Sequence, residues 1–310
     1  MSIRAAIDIG TNTVLLLIAD VKDGSITPLL EMQAIPRLGR QVDESGNLGT
    51  GGIEKVIKVL LNYREAILSG FGDIPVIVTA TSAVRDAANR NDFIGLVKKE
   101  TGFPVRILTG PEEAEWTYFG AVVPLDLKPD QETLIVDIGG GSTELAAGTS
   151  GTLKRYVSID MGSVRFTERY LKNDPPAPSE IDACRHSIRN KLGSDGFSIL
   201  PGTKLAGVAG TVTSLAALCY DLSDIQEFQT SRFTISAMQI KDIITDIIPM
   251  NVCQILSLNP GILKGREDVI LAGLLILEGV MDHYGFTDLL VSSGGIRHGA
   301  LLKAFRDRTC

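Results

Sequence analysis

Apolar positions along the chain switch between short continuous runs and helical spacing. Arg4-Ala5-Ala6-Ile7-Asp8-Ile9-Gly10 carries an apolar run into an acidic residue and a glycine, Thr11-Asn12-Thr13 is turn chemistry, and Val14-Leu15-Leu16-Leu17-Ile18-Ala19 suits a second buried strand. Lys22-Asp23-Gly24-Ser25 is a further hairpin signal. Ile53, Val56, Ile57, Leu60, Leu61 and Ile67 fall at helical spacing, predicting a helix over 53–68. Short strands are predicted at 75–80 and 105–108, and helices at 93–100 and 111–121. The second half repeats the mixture. A helix carrying Ile181, Cys184, Ile188 and Leu192 follows Ser179 as its cap. A strand over 204–209 leads into Gly210-Thr211 and a helix over 214–220; further helices are predicted at 240–248 and 269–284. A strand over 289–292 enters Ser293-Gly294-Gly295 before a closing helix. Strands alternating with helices predict an α/β architecture.

One segment returns. Leu134-Ile135-Val136-Asp137-Ile138-Gly139-Gly140-Gly141-Ser142-Thr143-Glu144-Leu145 has the same form as Ala6 to Leu15: apolar strand, Asp-Ile-Gly, hydroxyl-rich turn, apolar strand. Asp137 follows Asp8 by 129 residues, a domain-sized period too long for a solenoid. The proline-bearing stretch Val123 to Asp130 precedes the second copy. Two related domains are therefore expected, at 1–123 and 124–298, with a helix over 299–310 packing back on the first.

Composition narrows the class. The 310 residues carry a net charge of −7, 44% hydrophobic and 22% charged residues, so the chain has ample material for cores and is not disordered. The longest apolar stretch, Val269 to Met281, includes Glu278 and is shorter than the ~20 residues of a membrane span. Cys184, Cys219, Cys253 and Cys310 are scattered and form no C-x-x-C pair, which points away from a zinc site or disulfide framework and toward a reducing, cytoplasmic setting. The acidic balance argues against nucleic-acid binding, and no membrane partner is expected.

An Asp-Ile-Gly turn offers close backbone approach, consecutive N–H groups and hydroxyls for an anion, and an acidic residue for a metal or its waters. Phosphate is the ligand that uses all three. One copy could be an ordinary hairpin; two copies a domain apart, each ending a buried strand, weigh toward a ligand site. Gly207-Val208-Ala209-Gly210-Thr211 and Ser292-Ser293-Gly294-Gly295-Ile296-Arg297 also end strands, where ligands of α/β sheets bind. Arg297 is placed to reach a phosphate, with a solvated helix start as the other reading.

These residues bring the chain close to a known family. It resembles the exopolyphosphatase/guanosine pentaphosphate phosphatase family of the sugar kinase/actin/chaperone ATPase superfamily, nearly end to end. The resemblance rests on Asp8 to Thr13, Arg37-Leu38-Gly39, Thr79 to Arg85 with Asn89, Thr109-Gly110-Pro111-Glu112-Glu113-Ala114, Asp137 to Glu144, Met161 to Arg165, Ala209-Gly210-Thr211 and Ser293 to Gly299. It implies two ribonuclease-H-like, actin-like ATPase domains facing each other across a cleft, and Mg²⁺-dependent hydrolysis of a terminal phosphoanhydride. The substrate it implies is inorganic polyphosphate or guanosine pentaphosphate; a phosphotransferase or ATPase of the wider superfamily is the third reading. A homodimer is one assembly the resemblance leaves open, and the length matches the short, two-domain members.

By motif, Glu113 matches the glutamate that activates water. Asp137 and Glu144 match acidic residues that hold Mg²⁺ or the attacking water. Gly139, Gly140, Ser142, Gly210 and Thr211 match phosphate-contacting turns; Asp8, Asn12 and Thr13 match the first-domain loop; Arg85 matches a basic residue facing the cleft. Arg37, Arg40, Arg85, Arg90, Arg165 and Arg297 are candidates for focusing positive charge. Arg40 and His298 stand where many members have glutamate, with consequences expected for substrate choice. Arg266-Glu267-Asp268 replaces a common Arg-Ala-Asp.

Overall fold

The first Asp-Ile-Gly segment folds as a hairpin. β1 (Ile3–Ile9) and β2 (Val14–Lys22) pair antiparallel with Ile9 opposite Val14 and Asp8 opposite Leu15. Alternation sets what each side chain meets. Ala5, Ile7 and Ile9 enter one core with Val56, Leu60 and Phe93, while Ala6 enters a second with Leu17, Trp116 and Leu301, which puts Asp8 on that second face. A third strand that alternation does not announce, β3 (Ser25–Ala34), continues the hairpin; none of its residues is buried, which explains why no apolar run marks it. Then follow α1 (Val42–Ser45), α2 (Thr50–Phe71), β4 (Val76–Ala80), α3 (Ser82–Asp86), α4 (Arg90–Thr101), β5 (Val105–Ile107) and α5 (Gly110–Val122). The sheet order is β3-β2-β1-β4-β5, with β4 parallel to β1 and Asp8 beside Thr79.

The computed structural model describes residues 2–22, 24–125, 127–149, 152–194, 196–222 and 233–309, the side chains of 306–309 excepted. It resolves into two compact units, Met1–Val123 with Gly294–Cys310, and Pro124–Ser293. The chain's last helix, expected over 299–310, spans Ile296–Thr309 and packs on α5 and β1 within the first unit.

The second unit repeats the plan. β6 (Thr133–Ile138), β7 (Thr143–Thr149) and β8 (Thr152–Ile159) form an antiparallel meander, followed by α6 (Ser163–Tyr170), α7 (Pro178–Ser194), β9 (Lys204–Val208), α8 (Ala209–Tyr220) and β10 (Thr234–Ser236). α9 (Ala237–Ile247), α10 (Val252–Leu258), α11 (Pro260–Leu263), α12 (Ile270–Tyr284) and β11 (Asp288–Val291) complete it. Its order, β8-β7-β6-β9-β11-β10, follows that of the first sheet strand for strand, with β10 added at the edge. Both units are α/β, as expected. Leu134, Val136 and Ile138 enter a large core with Leu145 and the helices, so Ile135 and Asp137 stand on the opposite face.

Two local expectations change. Ser179 lies inside α7, because Pro178, whose φ suits the first helical turn, starts it one residue earlier. The Glu180 carboxylate accepts from the backbone N–H groups of Lys172, Asn173 and Ala177. The helix after β9 starts at Ala209 rather than Ser214, so Gly210 and Thr211 belong to its first turn.

Candidate functional site

In the second unit, the turn between β6 and β7 closes with the Gly139 N–H donating to the Ser142 carbonyl at 3.0 Å. The segment entering α6 grips it from outside: Ser163 N–H donates to Gly139 O at 2.9 Å and Arg165 N–H to Gly140 O at 3.0 Å. A Cβ at Gly162 would lie 2.4 Å from the Gly140 carbonyl carbon, so only glycine permits this approach.

Register places Asp137 directly opposite Glu144, and Glu144 directly opposite Ser158. Opposed residues on one sheet face have Cβ atoms about 4.5–5.5 Å apart, so the two carboxylates are neighbours. Glu144 is 2% exposed, and its Oε1 accepts from both the Ser142 and Ser158 hydroxyls, each at 2.7 Å. Asp137 is partly exposed and pairs in parallel register with Val208, the residue before the Ala209-Gly210-Thr211 turn. Ala209 has φ 64°, the left-handed region, which is costly for a side chain with a Cβ. Buried Arg266 holds this turn, donating to Gly210 O at 3.1 Å and Ser214 Oγ at 3.3 Å. Burial pushes its guanidinium down to about 10, still charged at neutral pH.

In the first unit, Gly10 N–H donates to Thr13 O at 2.9 Å, the same closure. Here the gripping segment is Arg37-Leu38-Gly39: Arg37 N–H donates to Asn12 O at 3.1 Å and Gly39 N–H to Thr11 O at 2.8 Å. Asp8 is 9% exposed and accepts from Thr79 Oγ1 at 3.3 Å. Thr109 and Glu112 form a reciprocal capping box at the start of α5. That use of Glu112 leaves Glu113 on another side of the helix, 7% exposed, with Oε2 accepting from Arg85 Nη1 at 2.7 Å. Arg85 also donates to Leu108 O at 3.1 Å, so β5's exit and α3 fix it together. α5 and the last helix cover the sheet face that carries Asp8.

The structure thus gathers Asp137, Gly139, Gly140, Ser142, Glu144, Gly210 and Thr211 at the carboxyl ends of adjacent strands β6 and β9 in the second unit. In the first it gathers Asp8, Asn12 and Thr13 at one turn and joins Arg85 to Glu113.

One expectation is corrected. Arg297 is not aimed at a phosphate: its guanidinium donates to Leu16 O at 2.9 Å and pairs with Glu31 at 3.0 Å, binding the last helix to β2 and β3. The Ser142 hydroxyl donates to Glu144. His298 is buried, and burial, aided by Arg297, pushes its imidazole down to about 3 and keeps it neutral. Sequence reasoning missed Ser158, and it quoted Gly39 and Gly162 within motifs without assigning their gripping role. The first needs the β7/β8 register, and the others act on turns more than 20 residues away.

Asp137 and Glu144 are hard oxygen donors that fit Mg²⁺, which commonly takes one or two carboxylates and completes its shell with water and substrate phosphate. Among the described residues no group of three or more His, Cys, Asp or Glu that could hold a metal ion is gathered. No described helix is long and apolar enough to cross a membrane.

Comparison with known proteins places this geometry. The model of the Ppx/GppA phosphatase family matches residues 17–307. Exopolyphosphatase 2 of Mycobacterium tuberculosis is 32% identical, over 96% of this chain and 97% of that protein. A bifunctional 3-dehydroquinate synthase/phosphatase of Fusobacterium nucleatum is also 32% identical, over 99% of this chain but 47% of its own length. Among solved structures, a Ppx/GppA family member of Aquifex aeolicus is 31% identical with a TM-score of 0.81, covering 99% of both chains.

Proposed function

The chain belongs to the Ppx/GppA phosphatase family, and from that premise we propose that it is a Mg²⁺-dependent exopolyphosphatase, releasing orthophosphate from the ends of inorganic polyphosphate. The observation that carries this reading is the second-unit turn. A glycine-rich anion cradle there adjoins two register-paired carboxylates and the Gly210-Thr211 helix start. The exopolyphosphatase relatives, aligned over nearly their full length, support the substrate class.

Phosphoanhydride hydrolysis needs an in-line water, positioned phosphate and neutralised charge rather than a covalent intermediate. Each unit brings its own phosphate turn: backbone N–H groups at 11–13 in the first, and at 140–142 and 209–211 in the second, suit phosphate oxygens. Glu113 orients the attacking water and accepts its proton at a carboxylate oxygen, while Arg85 fixes the rotamer of that carboxylate. Asp137 and Glu144 hold Mg²⁺, which when bound supplies charge neutralisation at the reacting phosphate.

The test is phosphate release from polyphosphates of graded length, guanosine pentaphosphate and ATP, with and without Mg²⁺. Preferential Mg²⁺-dependent release from polyphosphate is expected; preference for guanosine pentaphosphate or ATP would overturn the substrate assignment. Glu113→Gln should lower turnover by about 10²–10⁴ with substrate binding retained. Near-normal turnover in that variant would remove Glu113 from the reaction.

A further inference from the structure

The Glu144 carboxylate is held by a residue outside every motif considered so far. Ser158, on β8, stands opposite Glu144 in register and donates its hydroxyl to Oε1 at 2.7 Å. Ser142, from the turn, donates to the same oxygen at the same distance. Three neighbouring strands thus set Asp137, Glu144 and Ser158 in one row across the sheet face opposite the large core. Both bonds have the length of strong charge-assisted contacts. Glu144 is almost wholly buried, so its orientation is set by these partners and not by solvent. A glutamate has three rotatable side-chain bonds. Two donors on one oxygen, one from the turn and one from a strand, restrict its rotamers beside Asp137.

Resting on the reading of Asp137 and Glu144 as the Mg²⁺ carboxylates, we infer that Ser158 is a positioning residue for that site: it fixes Glu144 so that the carboxylate pair is preorganised before substrate arrives. Donors behind a liganding carboxylate commonly govern metal affinity without touching the ion. Ser142 shares the task but sits on the phosphate turn, so replacing it would disturb two functions. Ser158 lies on the neighbouring strand and tests positioning alone.

The experiment is a Mn²⁺ titration followed by electron paramagnetic resonance on the full chain without substrate. It compares the unaltered protein, Ser158→Ala, Ser158→Thr and Asp137→Asn, with thermal melts confirming folding of each. Ser158→Ala should weaken Mn²⁺ binding about 10-fold. Ser158→Thr, which keeps the hydroxyl, should restore binding to within about 3-fold, as a conservative replacement of a positioning donor does. Unchanged affinity in Ser158→Ala, with Asp137→Asn weakened, would overturn the role of Ser158 while keeping the metal site. Equal weakening in Ser158→Thr and Ser158→Ala would also overturn it, because the hydroxyl would not be the cause. Absence of binding in the unaltered protein, or no effect of Asp137→Asn, would overturn the underlying reading of the carboxylates.

Discussion

The two Asp-Ile-Gly turns share a backbone closure and differ in what faces the aspartate. Each is closed by the glycine N–H donating three residues ahead, and each is gripped by two backbone N–H groups from a later segment containing a glycine and an arginine. In the first turn, Asp8 faces Leu15; in the second, Asp137 faces Glu144. The shared part is an anion cradle, which needs only backbone. Under the proposed reading the differing part divides the labour: both turns hold phosphate, and the second alone holds the metal ion. On that reading, register supplies the asymmetry through the side chain set opposite the aspartate.

The comparison can be broken at its differing residue first. Glu144→Leu makes the second turn resemble the first. It should abolish detectable Mn²⁺ binding. It should also lower stability by about 1–3 kcal/mol, since the Ser142 and Ser158 hydroxyls lose their acceptor. Calorimetry with a parallel metal titration checks both; retained metal affinity would make the asymmetry irrelevant.

The gripping glycines come next. A Cβ at 162 meets backbone of Gly140, whereas one at 39 meets the Thr11 methyl at 2.3 Å. The Thr11 side chain can turn about χ1, and backbone cannot give way so cheaply. Gly162→Ala should therefore cost about 2–3 kcal/mol and Gly39→Ala about 1–2 kcal/mol, read as shifts in denaturant midpoint. The reverse order would show that the two grips are not equivalent devices.

The smallest effect concerns the strand ends beside each aspartate. Ala209 is left-handed at the start of α8, while its counterpart Ala80 ends β4 as ordinary strand. Ala209→Gly should stabilise by about 0.5–1 kcal/mol and Ala80→Gly should destabilise by a similar amount, measured by thermal unfolding. Stabilisation at both positions would mean that backbone strain is not the distinction.

Much of this was legible in the residues. Identical Asp-Ile-Gly runs ending apolar strands disclosed the duplication, and alternation and helical spacing placed most elements within a few residues. Glu112 and Glu113 were separable because adjacent helical residues point about 100° apart. What stayed hidden depends on pairing between segments far apart in sequence. Nothing local says that Glu144 faces Asp137 while Leu15 faces Asp8 until the hairpin registers are known, and nothing local ties Ser158 to either. Arg297 misled for the same reason: its glycine-rich approach resembles a ligand turn, but the helix it begins lies across β2 and β3, where Glu31 takes its charge.

The central claim is tested most directly by the Mg²⁺ dependence of phosphate release from polyphosphate in two matched variants, Asp8→Asn and Asp137→Asn. The account predicts that Asp137→Asn raises the Mg²⁺ concentration for half-maximal activity by at least about 10-fold, because a charged hard-oxygen ligand becomes neutral. Asp8→Asn should leave that concentration essentially unchanged, whatever it does to turnover. Equal shifts in the two variants, or a shift in Asp8→Asn alone, would contradict the assignment of the metal to the second turn.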